Sequence, residues 1–98
     1  MKYLLLAMML TLALPVPAQA DPKGEVCGAL AAMGRSIMAA RQAGVTIEDA
    51  YAIAPDDLTR ALVVEAYKQN KWSSKGYQDE AVDTFGNDVF LACMAVKP

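Results

Sequence analysis

Few side chains in this chain are of a kind that does chemistry, and the most informative are its two cysteines, Cys27 and Cys93. With two there is a single pairing within the chain. No C-x-x-C spacing marks them as a redox pair, so they read as a structural disulfide. Such a bridge closes a loop of about 66 residues and is worth about 4 kcal/mol on the chain-entropy model. Histidine is absent. That removes the commonest general base and metal ligand, and with it Ser-His and Cys-His catalysis and most zinc sites. Ser73, Ser74 and Lys75 hold the ingredients of a serine–lysine dyad. They fall in a polar loop, where nothing desolvates the lysine as an activated nucleophile requires.

Asp79, Asp83 and Asn87 recur every four residues, with Glu80 beside them. A straight helix face cannot wrap calcium with six to eight oxygens. A small bundle also has little room for the sugar cleft that a carboxylate pair would serve. A solvated helix face is the simpler account. Phosphate-loop, dinucleotide and calcium-loop motifs are absent. The sequence therefore predicts no enzyme, no catalytic residue, no cofactor and no metal.

The elements that carry these residues are helical. Apolar residues at Cys27, Leu30, Ala31, Gly34, Ile37 and Met38 predict a first helix over about 25–43, flanked by Val26, Met33 and Ala40. Asp21 and Pro22 form its entry, and Gly44 suits its left-handed C-terminal cap. Thr46, with Asp49 three residues on, caps a short second helix over about 47–54. That helix offers Ala50, Tyr51 and Ile53 for burial. Pro55, Asp56 and Asp57 read as the first turn of a third helix reaching about residue 69. Leu58, Ala61, Leu62, Val64, Ala66 and Tyr67 surround it, the pattern of a central helix, with Val63 the residue off the pattern. A loop over 70–76 precedes a fourth helix over about 77–96, striped by Val82, Phe85, Gly86, Val89, Cys93 and Val96. The expected fold is an all-α bundle of about four helices with one disulfide joining the first and last. Antiparallel pairing of those two would bring Gly34 and Gly86 to one level, about 10 Å from the bridge, as a close helix crossing.

The address is read from residues 1–20. Lys2 precedes an apolar run over 4–14 broken only by Thr11, then Pro15, Pro17 and Ala18-Gln19-Ala20. This is the pattern of a signal peptide cleaved after Ala20. An apolar run of about eleven residues is short of the roughly twenty that span a bilayer. The expectation is one helical domain over 21–98 in the periplasm or secreted, with no membrane span after cleavage. That domain carries eight basic and eleven acidic residues, a net charge of −3. Such a charge argues against nucleic acid and anionic membrane surfaces as partners.

Residues beyond the needs of a core are the candidates for partner binding. Arg35, Arg41 and Gln42 are the polar positions of the first helix, and arginine is enriched at binding hot spots. The competing account is ordinary pairing with the carboxylates. Trp72 and Tyr77, with Tyr67, flank the loop before the last helix, where core or rim packing is the alternative. Phe90, Leu91 and Met94 fall off the last helix's stripe and would leave an apolar patch if exposed.

Cys27, the run SIMAARQAG (36–44), EAY (65–67), FGND (85–88) and Cys93 together resemble a group of small exported two-cysteine proteins of proteobacteria and their phages or prophages. The resemblance covers most of residues 21–98. It implies a helical, disulfide-bridged, periplasmic protein and adds no catalytic or binding residue. The expected function is a non-enzymatic module that binds a protein of the cell envelope and occludes or modulates it, as inhibitors, immunity proteins and exclusion factors do. An acid- or stress-responsive periplasmic chaperone and an enzyme accessory subunit are the alternatives.

Overall fold

A computed structural model describes residues 21–96. Residues 1–20, with the expected signal peptide and its cleavage bond, lie outside them. Four helices follow in order: α1 (Pro22–Ala43), α2 (Ile47–Ile53), α3 (Asp57–Tyr67) and α4 (Lys75–Ala95). Among the described residues the fold is all-α, and Cys27–Cys93 joins α1 to α4 with 5.5 Å between the Cα atoms.

Local chemistry sets the helix ends. α1 starts three residues before the expected position, because Asp21 caps it by accepting from the Lys23 amide at 3.1 Å and Pro22 takes the first turn. It ends at Gly44, whose φ of 94° is the left-handed conformation that favours glycine. Thr46 caps α2 by accepting from the Asp49 amide. Pro55 does not open α3. Asp56 is the cap, accepting from the Thr59 amide at 2.8 Å, and Pro55 precedes it. Ser74, expected within the loop, caps α4 and moves its start to Lys75.

α1 is the hub, packing on α4, α3 and α2. This overturns the expectation that the third helix is central. α4 runs antiparallel to α1: Val89 and Phe85 cover Gly34, and Cys93 meets Cys27. α3 runs parallel to α1, with Thr59 donating to the Met33 sulfur near its start and the Gln69 carbonyl accepting from Arg41 beyond its end. Val63, expected off the pattern, is 1% exposed and packs with Ala50 and Ala54. Tyr51 and Ile53, expected to be available for burial, are exposed. α2 is seven residues long and turns only Ala50 inward.

Gly34 and Gly86 lie on the α1–α4 seam without capping one another. A Cβ on Gly34 would stand 3.1 Å from Val89 Cγ2. A Cβ on Gly86 would stand 2.6 Å from Arg35 Cζ. Each glycine thus receives side chains of the opposite helix. The core itself is thin. Of its nine buried apolar residues four are alanines, and Met38, Val63 and Cys27 are the largest fully buried side chains.

A core this small contributes little, so the bridge carries a large share of the stability. Reduction, or Cys27→Ser with Cys93→Ser, is expected to cost about 4 kcal/mol. For a domain with about 5 kcal/mol in total, about 1 kcal/mol then remains, and urea titration should show roughly 15% of the chain unfolded without denaturant.

Candidate functional site

The polar residues singled out on α1 do not form one outward patch. Gln42, expected on an outer face, is 5% exposed. Its Nε2 donates to the Asn70 carbonyl at 2.8 Å, and its Oε1 accepts from the Trp72 amide at 2.8 Å. It therefore supplies partners to backbone groups of the exposed α3–α4 loop that have no helical bonds. Arg41 donates to the Gln69 carbonyl from Nε and Nη2 at 3.3 and 3.0 Å, with its guanidinium 5.2 Å from the Tyr67 ring centre. Arg35 crosses Gly86 and donates to Asn87 Oδ1 at 3.0 Å. Both arginines are half-buried, and the acceptors they use are neutral rather than carboxylates.

Tyr67 donates its hydroxyl to the Val45 carbonyl at 2.8 Å. Burial pushes its pKa above the ordinary tyrosine value, against a smaller opposing effect of Arg41, so the hydroxyl keeps its proton. Trp72 and Tyr77 come together with ring centres 5.2 Å apart and remain 39% and 58% exposed. The Trp72 carbonyl accepts from Gln78 Nε2 at 2.8 Å, which fixes the loop to the first turns of α4. Asp79 pairs with Lys75 at 2.6 Å and Asn87 is held by Arg35, so the oxygen ladder is divided. No group of three His, Cys, Asp or Glu side chains among the described residues is placed to hold a metal.

The most prominent surface feature is a valley between α3 and α4, floored by α1. At the loop end it is a cleft of about 230 Å³. Trp72 walls it, Phe85 and Met38 form its floor, and Glu80, Thr84 and Asp88 line its edge. At the disulfide end it is a groove of about 370 Å³. Leu30, Leu58 and Leu62 face Val89, Ala92 and Val96 across it, Cys93 lies in its wall, and Glu65 and Asp88 edge it. Phe85 and Asp88 belong to both, so the two are continuous. One row of α4, Glu80, Thr84, Asp88, Ala92 and Val96, borders the whole valley at four-residue spacing. Its length is about 24 Å at helical rise.

Of the expected binding residues, Trp72 lines this valley. Tyr77 stands at its mouth, where it shares a shallow pocket with Glu80. Leu91 is exposed and Phe90 and Met94 are half-buried, and the valley is lined without them. Of the missed residues, Glu80, Asp88 and Ala92 gave one signal, the four-residue row beside the α4 stripe, and Leu58 on α3 gave none.

A small all-α domain stapled across its first and last helices, with an open valley between the third helix and the last, is the class of protein these features define. The chain matches no protein-family model, no curated protein and no solved structure.

Gln42→Leu keeps the side chain's bulk and strands the Asn70 carbonyl and Trp72 amide. We expect a loss of about 2 kcal/mol, read by urea denaturation. Faster hydrogen exchange at the Trp72 amide should accompany it, with exchange in the middle of α1 raised no more than the global loss explains.

Proposed function

We propose that this protein is a non-enzymatic binding module of the cell envelope that holds a protein partner in the α3–α4 valley. The observation that carries the reading is the valley: a continuous trough, apolar at its disulfide end and more polar toward a half-exposed tryptophan, with no described segment of the chain across it. Tryptophan is enriched at binding hot spots, and large apolar surfaces on small soluble domains mark interaction sites. The Cys27–Cys93 bridge is compatible with an oxidising compartment. No helix among the described residues is long and apolar enough to cross a membrane. The signal-peptide pattern and the resemblance to small exported two-cysteine proteins support the periplasm, with inhibition, immunity or exclusion as the kind of outcome.

The acid-responsive chaperone is a second reading, favoured by the apolar side chains exposed on this surface. Its trigger is weak. All eleven carboxylates of the described domain are exposed, and exposed ion pairs contribute little. The clearest handle is Asp56, whose pKa is held below the usual aspartate value chiefly by the hydrogen bond from the Thr59 amide. A pKa depressed in the folded state adds stability above the unfolded value, lost as pH falls through the lowered one.

Two measurements test these readings. With a photo-crosslinking residue at Ala92, the wild-type partner should be captured in native periplasm and identified by mass spectrometry. The absence of any crosslinked protein from every valley position would remove the binding-module reading. By circular dichroism the helical signal should persist from pH 7 to about 4 and decline only below it. Asp56→Asn, which keeps a capping oxygen, should remove part of that late decline. Cooperative unfolding near pH 5 would instead favour the chaperone.

A further inference from the structure

The valley has a polarity along its length. Its disulfide end is lined by Leu30, Leu58, Leu62, Ala92 and Val96, and acidic groups begin with Glu65 and Asp88. Its loop end adds Glu80 and the Trp72 indole. No lysine or arginine lines either described part. Glu65 meets Lys68 at 2.7 Å in a solvent-exposed pair, which leaves it able to exchange partners. Glu80 and Asp88 make no ion pair among the described residues. An occupant must therefore be apolar where it meets the leucines and cationic where it meets the carboxylates and the indole face.

The dimensions select its form. About 24 Å between two helices that already pack on a third accepts one more helix of about sixteen residues. An extended strand would find no free backbone edge, since the helical walls are bonded internally and the Gln69, Asn70 and Trp72 backbone groups of the loop wall are already held by side chains. A bilayer with anionic lipid is repelled by the carboxylates. A second copy of this chain brings the same net negative charge to the same rim.

We propose that the valley receives an amphipathic helix of the partner protein, its apolar side chains over Leu30, Leu62 and Val89 and its basic residues over Glu65, Glu80 and Asp88. This rests on the binding-module reading and specifies the partner's binding element. Trp72, the one tryptophan of the chain, reports occupancy at the basic end.

The probe is a pair of synthetic sixteen-residue helical peptides with the same leucine face, flanked by lysines in one and glutamates in the other. Trp72 fluorescence and chemical-shift mapping on the intact disulfide-bonded protein follow binding. The lysine peptide is expected to bind about ten-fold tighter or more than the glutamate peptide, as expected for two or three exposed pairs turned from repulsion to attraction. Glu80→Lys with Asp88→Lys should reverse that preference. Ala92→Trp, at an exposed position of α4, should abolish binding of both with the circular dichroism spectrum unchanged. Equal binding of the two peptides, or a preference the charge reversal leaves intact, overturns the proposal. So does shift mapping to the groove of Met33, Ile53 and Pro55 on the other side of α3. A concentration-dependent dimer that Ala92→Trp makes monomeric would assign the valley to a second copy and overturn it too. If an envelope protein crosslinks at Ala92 through a segment that is not a basic helix, the proposal fails and the binding-module reading stands.

Discussion

The seam between α1 and α4 is the constraint on which the rest of the molecule depends. Gly34 lets Val89 and Phe85 come down onto α1, and Cys27–Cys93 fixes the two helices in register at their far end. Few other contacts could substitute. Ala31, Ala50, Ala54 and Ala66 allow helices to approach closely, but each buries little apolar area. The seam makes a two-helix frame, and α3 packs against it along its length, with Thr59 bonded to Met33 near its start and Val63 and Ala66 buried further on. Arg41, Gln42 and Tyr67 secure the C-terminal end of α3 and the segments beside it through bonds to or from Gln69, Asn70 and Val45. On the side toward α4, burial falls along α3 from Ala66, fully buried, through half-buried Leu62 to Leu58, 57% exposed. The valley opens on the side of α3 toward α4, where this burial falls.

The use of the arginines sets the valley's charge. Arg35 is spent on the Asn87 amide and Arg41 on a backbone carbonyl. Arg60 lies beside Asp57 at 3.2 Å and over the Tyr51 ring at 5.8 Å. These are structural uses, in which a planar guanidinium fixes a helix end or fills the space over a glycine. Three cations are thus directed inward or along their own helix, while Glu80, Asp83 and Asp88 of α4 make no ion pair among the described residues.

Features written in local chemistry were legible in the sequence. Gly44 and Thr46 marked the α1–α2 turn because caps act within a few residues. The Phe85, Val89 and Cys93 stripe marked the buried face of α4. Features decided by distant contacts were not legible. α3 carries apolar residues on most sides, so its own pattern could not say that Val63 would be buried by Ala50 and Ala54 while Leu58 stayed in solvent. Gln42 looked like a surface residue because its partners are backbone groups of a loop 28 and 30 residues away. Backbone groups leave no trace in side-chain identity. The valley was hidden for a related reason: it is formed by two helices that scarcely touch, and only the row from Glu80 to Val96 shows its presence.

An apolar trough on a small domain invites association with further copies of itself. Here the carboxylates along the rim oppose that outcome, because every copy carries the same negative charge to the contact. In the proposed complex the same groups would lower the cost of admitting a helix with basic flanks, so one feature would both oppose self-association and favour such a partner. The bridge adds a second element of selectivity. Cys93 stands in the wall of the groove, so the surface that meets the leucines is held in shape before any partner arrives, which reduces the ordering cost of binding. A thin core with a covalent staple is therefore suited to this task. Apolar residues that a larger core would have buried stay on the surface, and the bridge keeps them in a fixed arrangement.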